Sequence, residues 1–120
     1  MTNPFKDQEK FMRACDQTVG DINPGQFALY KKLIDEEVQE LKDATSQLEE
    51  LDALTDILVV TIGAIHSMGA DGEGAWNEVM RTNFAKINEE TGKVNKREDG
   101  KVLKPEGWTP PKLDKFLHKE

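Results

Sequence analysis

The 120-residue sequence predicts an all-α protein, a four-helix bundle-like protomer with an irregular C-terminal tail. Apolar residues recur at three- and four-residue spacings from Phe5 to Ile87, the period of helices with one buried face. Residues that favour helix starts stand just before the periodic segments, and the Gly- and Pro-rich stretches fall between and after them. The chain is short enough for one domain over 1–120, with 92–120 as the tail.

The first helix is expected from Asn3 to about Val19, with Pro4 at its first position and Phe5, Phe11, Met12 and Cys15 as its apolar face. "GDINPG" marks a turn, and Asn23 before Pro24 caps the next helix. That second helix runs from Gln26 to Ala44, with Phe27, Tyr30, Ile34, Val38 and Leu41 as its buried stripe. Ser46 followed by Glu49 three residues on is a capping-box pattern, which opens a third helix through Leu51, Leu54, Leu58, Ile62 and Ile65 to about Met68. The very short turn between them makes helices two and three antiparallel. The β-branched run "ILVVTI" is read as helix because the period continues on both sides of it. "MGADGEG" is a loop, and Trp76, Val79, Met80, Phe84 and Ile87 define a fourth helix from Ala75 to about Glu90, ended by "TGK". The tail, with Asp-Gly, Pro-Glu-Gly and Pro-Pro signals, is expected to wrap over the bundle without a core of its own.

Composition narrows the function. A formal net charge of −7 argues against binding a nucleic-acid polymer through its backbone, because that affinity comes from Lys and Arg displacing counterions. An acidic protein that handles phosphates needs a cation between the two. The single Cys15 excludes an intramolecular disulfide and is expected to pack as a small apolar residue in a reducing compartment. The start of the chain lacks the pattern of a signal peptide, and "ILVVTIGAI" is about half the ~20 residues of a membrane span, so a cytoplasmic protein without a membrane partner is expected.

Against this background the acidic residues of helices two and three stand out. Glu36, Glu37 and Glu40 stack on one flank of helix two, where Glu37 and Glu40 border the buried stripe. On helix three, Glu49, Asp52 and Asp56 share a face that continues as Val59, Val60 and Gly63. An acidic helix is most often a solvated face with i,i+4 pairs to Lys, but Lys31 and Lys42 are too few to cover Glu37, Glu40, Asp52 and Asp56 together. Facing carboxylates repel and shift their pKa values upward unless a cation neutralises them. Hard divalent ions such as Mg²⁺ or Mn²⁺ prefer such oxygens and leave positions for water and phosphate. The histidines exclude a ferritin-like di-iron site, since Gly63 and Lys115 stand where Glu-x-x-His would need its glutamates, and His66 reads as a core or interface histidine, not a catalyst.

"EEVQE" at Glu36, Glu37 and Glu40, followed by "EELD" with Glu49 and Asp52, resembles the E-E-x-x-E…E-x-x-D signature of the all-α nucleoside triphosphate pyrophosphohydrolases. This is the MazG-like group that includes phosphoribosyl-ATP pyrophosphohydrolase and the dimeric dUTPases. The tail "GKVNKREDGKVLKPEGWTPP" is similar to the ending of small, often phage-encoded, members. The second motif departs from the pattern. In this group its aspartate precedes two apolar residues, as Asp56 does in "TDIL", yet Ala53 stands three residues before Asp56. Either Glu49 and Asp52 form the motif, or Asp56 is its aspartate with Asp52 in place of the glutamate. "RTNFAKINEETGK" resembles the family's Asn-x-x-Lys segment, which implies that Asn83 and Lys86 serve the phosphate region.

The resulting expectation is a Mg²⁺-dependent hydrolase, with Mn²⁺ as an alternative metal, that cleaves the α–β phosphoanhydride of a nucleoside triphosphate or related nucleotide to a monophosphate and pyrophosphate. Glu36 is the candidate base and Lys86 the candidate cation for phosphate charge, with Glu37, Glu40, Glu49, Asp52 and Asp56 as candidate metal ligands. Lys104 and Trp108 are candidates for a phosphate contact and a base-stacking ring, although a tryptophan between prolines also serves as a packing anchor. A non-catalytic nucleotide-binding or helical interaction module of the same fold is the alternative. Helix three is apolar around nearly its whole circumference from Ile57 to Ile65, more than one chain can cover, so a homodimer or dimer of dimers is expected.

Overall fold

A computed structural model describes residues 3–118. The fold is all-α and bundle-like, with helices α1 (Pro4–Ala14), α2 (Pro24–Asp43), α3 (Gln47–Ser67) and α4 (Gly72–Phe84). A two-stranded antiparallel hairpin, β1 (Ile87–Asn88) and β2 (Lys93–Val94), follows, and a 3₁₀ turn spans Asp114–Phe116. Among the described residues no helix is long and apolar enough to cross a membrane.

Local chemistry sets the helix ends. Asn3, Asn23 and Ser46 each accept a hydrogen bond from a backbone N–H three residues on, and Pro4 and Pro24 occupy first helical positions. Helix α1 stops at Ala14, about a turn before the expected Val19. Asp16 adopts φ 58°, its N–H reaches Arg13 O, and the Gln17 N–H reaches Met12 O. That is a Schellman closure with aspartate in the place glycine usually takes. Cys15 is the C-cap and is exposed, contrary to its expected packing.

The chain divides into two compact units, Met1–Gly72 with Phe116–Glu120, and Glu73–Lys115. In the first, Met12, Tyr30 and Ala64 form the buried centre, and Val19, Phe27, Leu33, Ile34 and Val60 pack around it. Tyr30 lies flat against α3, where a Cβ on Gly63 would stand 2.2 Å from the Tyr30 ring. The loop from α1 to α2 is tied to the end of α3: Gln26 Nε2 donates to Thr18 O and Ser67 Oγ, both at 2.8 Å. His66 is buried, and its Nε2 lies 2.8 Å from Phe5 O, which makes it the core residue expected. At the C-terminal end, the Asp71 N–H donates to Phe116 O, and His118 Nε2 lies 3.2 Å from Asp21 Oδ1.

Not every apolar stripe is covered. On α3, Leu48, Leu51 and Leu58 are 78%, 64% and 64% exposed, and Leu54 is also exposed, whereas Ile62, Gly63 and Ala64 are buried. Phe11 on α1 and Trp76 and Phe84 on α4 are likewise exposed.

In the second unit α4 ends at Phe84, well before the expected Glu90. The segment that follows turns back as the β1–β2 hairpin, in which Asn88 Oδ1 accepts the Glu90 N–H and Gly92, at φ 70°, donates to Asn88 O. The tail carries more local order than expected. Lys96 pairs with Val102 in an isolated bridge, the Trp108 Nε1–H donates to Thr82 O, and the Lys112 N–H donates to Glu78 Oε2.

Candidate metal centre

The pairing of α2 with α3 places the acidic residues. Tyr30 meets Gly63, Glu37 and Glu40 meet Asp56, and Glu40 and Asp43 share a cleft with Glu49 and Asp52. Numbers rise along one helix as they fall along the other, so the two helices are antiparallel. Their acidic flanks therefore face each other near the connecting turn.

Glu37, Glu40 and Asp56 each offer a carboxylate oxygen, and these oxygens lie within 4.8 Å of one another. Glu37 Oε2 is buried and has no hydrogen-bond partner among the described residues. Burial raises the Glu37 pKa first, followed by its interaction with Glu40 and the negative charges of Asp56 and Asp52. The ion pairs Arg13–Glu9, Arg81–Glu78, Arg97–Asp99 and His118–Asp21 all lie elsewhere and do not neutralise this group. Lys31 on α2 stands over the Phe27 ring instead. A buried oxygen without a donor, in a set of three converging carboxylates, suits a hard divalent cation, which takes oxygen ligands and offsets their repulsion.

Toward the turn, Glu40, Asp43, Glu49, Asp52 and Ala53 line an open cleft of about 260 Å³. Glu49 has a further engagement: its Oε1 accepts from Thr45 Oγ1 at 3.0 Å and Ser46 Oγ at 3.3 Å, while its N–H donates to Ser46 Oγ at 3.1 Å. These contacts make it the reciprocal partner of the α3 cap. Asp43 was missed in the sequence, although it stands one turn beyond Glu40 on the same flank and that spacing is visible. Glu36 is exposed and belongs neither to the three-carboxylate group nor to the lining of the cleft.

The remaining candidates lie in the second unit. Lys86 Nζ is 3.3 Å from Asn83 Oδ1, one turn back, and 5.2 Å from the centroid of the Trp108 ring. Lys104 Nζ lies 4.9 Å from the same centroid. Trp108 is thus both an anchor, through its bond to Thr82 O, and a surface for two cations.

Comparison with curated proteins gives no match. Residues 8–83, a span that contains all of α2 and α3 and the acidic residues on them, match the family described as phosphoribosyl-ATP pyrophosphohydrolase. Three converging carboxylates and a match over well above half the sequence agree, and the chain belongs to the phosphoribosyl-ATP pyrophosphohydrolase family, whose members are nucleotide pyrophosphohydrolases.

Proposed function

We propose that the protein is a divalent-metal-dependent pyrophosphohydrolase, with Mg²⁺ or Mn²⁺, that adds water across the α–β phosphoanhydride of a nucleoside triphosphate or a related nucleotide. The products are a nucleoside monophosphate and pyrophosphate. The observation that carries this reading is the convergence of Glu37, Glu40 and Asp56, with a buried Glu37 oxygen that has no hydrogen-bond partner among the described residues.

Glu37, Glu40 and Asp56 would hold the metal, with Asp52 next to them on α3 and Glu49 at the rim of the cleft. Bound there, the metal supplies charge neutralisation for the phosphate oxygens and a more acidic water. Glu36, exposed and one residue from Glu37, would accept the proton of the attacking water. Lys86 would balance the negative charge that builds on the phosphates, with Asn83, Lys104 and Trp108 as further substrate contacts. The active form would be a dimer or dimer of dimers that covers the leucine face of α3, and the reaction would take place in the cytoplasm.

Pyrophosphate release from a panel of nucleoside triphosphates, with Mg²⁺ or Mn²⁺ and with an EDTA control, tests the reading. Turnover that EDTA abolishes is the expected result. An absence of turnover across the whole panel would leave a non-catalytic module of the same fold.

A further inference from the structure

Residues 108–113 are neither helix nor strand, yet the sequence Trp108-Thr109-Pro110-Pro111-Lys112 leaves them little freedom. Each proline fixes its own φ at about −65°, and each holds the residue before it extended, so Thr109 is constrained as well. The segment starts from a closed turn, in which the Trp108 N–H donates to Pro105 O at 3.1 Å and Gly107 takes a φ of 81°. A stiff segment transmits position, because fixing one end restricts the other.

Both ends are fixed, and to the same helix. At one, the Trp108 Nε1–H donates at 2.7 Å to Thr82 O, among the last carbonyls of α4, which a helix leaves without partners of its own. At the other, the Lys112 N–H, the first backbone donor after Pro110 and Pro111, donates to Glu78 Oε2 at 2.8 Å. Glu78 and Thr82 stand one helical turn apart.

Glu78 is itself held. Arg81 Nε and Nη2 donate to its two oxygens at 2.8 and 3.0 Å, a bidentate clamp that sets the plane of the carboxylate. The Glu78 side chain is only 11% exposed, against 50% for Arg81. An exposed i,i+3 pair contributes little by itself, so the pair alone is a weak reason to cover this carboxylate. Its second engagement, with the tail backbone, supplies the reason. A single hydrogen bond from the edge of an indole leaves its plane open. The path of the backbone behind the ring decides it, and Glu78 holds that path.

We propose that Glu78 is a positioning residue: by holding the Lys112 N–H it sets, through the Pro110–Pro111 segment, the plane in which the Trp108 indole lies at the end of α4. The consequence for turnover rests on the proposed function, in which Trp108 contacts the substrate; the consequence for the ring does not.

The test uses the full chain with Trp76→Phe, so that Trp108 is the only tryptophan. Lys112→Pro removes the tail donor and leaves Glu78 and Arg81 intact, whereas Lys112→Ala removes the side chain and keeps the donor. Glu78→Ala removes the acceptor at a position where alanine favours helix, and Glu78→Gln keeps one oxygen. Lys112→Pro and Glu78→Ala should each move Trp108 emission to longer wavelength and make it easier to quench with acrylamide, with helical circular dichroism retained. Lys112→Ala should match the Trp76→Phe parent, and Glu78→Gln should fall between. The double variant Glu78→Ala with Lys112→Pro should go no further than either single one, because both remove the same contact. With a nucleotide that is turned over, the two releasing variants should raise KM about tenfold, the scale of one lost hydrogen bond, and leave kcat within about twofold. Emission and quenching unmoved in Lys112→Pro, or moved with KM unchanged in a chain that turns nucleotide over, would overturn the proposal. Moved emission in a chain that turns over no nucleotide would support the hold on the ring and remove only the proposed function.

Discussion

Glu37 sits where the electrostatic demands of the acidic group are greatest, with a buried oxygen that has no hydrogen-bond partner among the described residues and a pKa raised by burial and then by Glu40, Asp56 and Asp52. Burying an unpaired carboxylate is unfavourable, and the arrangement is sensible only with a proton or a cation in place. The two ways of reading the second acidic motif now separate by residue. Asp56 lies with Glu37 and Glu40, whereas Glu49 spends one carboxylate oxygen on the hydroxyls of Thr45 and Ser46. Glu40→Gln should abolish turnover with little change in helical circular dichroism, because it removes charge without volume. Asp56→Asn should cost at least about a hundredfold in activity, on the scale of a lost metal ligand, while Glu49→Gln should be mild, within about tenfold. Initial rates at saturating Mg²⁺ decide this, and an essential Glu49 with a tolerant Asp56 would restore the literal E-x-x-D pairing. The acidic residues were visible in the sequence because their spacing is that of one helix face. Their pairing was not, since the sequence leaves the register of α2 against α3 open by one turn, which the structure sets with Tyr30 against Gly63 and Asp56 beside Glu37 and Glu40.

At the scale of elements, caps were legible and stops were not. Asn23 and Ser46 act through hydrogen bonds to residues three positions away, so the signal is local. The early end of α4 depends on a competing structure. Ile87 has the spacing of another helical position after Phe84, but Asn88 and Gly92 close a turn that pairs Ile87 with Val94, and the hairpin prevails. Helix packing leads to a sharper prediction. Gly63→Ala places a methyl where the Tyr30 ring lies, and that ring cannot swing aside easily because its hydroxyl donates to Gln17 Oε1 at 2.5 Å. Overpacking of this kind costs about 1–3 kcal/mol, so a chemical-denaturation midpoint that does not move would show that α2 and α3 pack otherwise. The tail offers a pH test. Arg81 first, and then the Lys112 N–H, hold the Glu78 carboxyl at about 2, below its ordinary 4.5. A depressed carboxyl contributes stability above its unfolded value and loses it as pH falls through the folded value. The difference in thermal midpoint between wild type and Glu78→Gln should therefore be constant from pH 7 to about 4.5 and close between there and about 2. A difference that persists at pH 2 would mean that Glu78 acts through shape and not through charge.

For the whole molecule the open question is what covers α3. Leu48, Leu51 and Leu58 follow one another at i, i+3 and i+10, close to a single line along the helix, and each is more than half exposed. Scattered surface leucines need no explanation, but three on one line of a helix that also carries Asp52 and Asp56 form a continuous apolar strip beside an acidic site. The sequence raised the expectation of uncovered surface for Ile57 to Ile65, and of the three leucines of the strip only Leu58 lies in that span. Which residues stay outside required the structure, because Ile62 continues the same rhythm and is buried. A second copy is the simplest cover. Identical chains most often associate about a two-fold axis, where the same patch meets itself, and a leucine strip on a straight helix is self-complementary in that arrangement. Light scattering at micromolar concentration should give at least twice the monomer mass. Leu51→Glu with Leu58→Glu places charges on the strip without touching the carboxylates of the site, and it should shift the mass to that of the monomer. Activity should fall with it if the assembly is needed for turnover. A fully active wild-type monomer, with the double variant unchanged in mass and rate, would show that α3 tolerates its leucines in water and that one chain is sufficient.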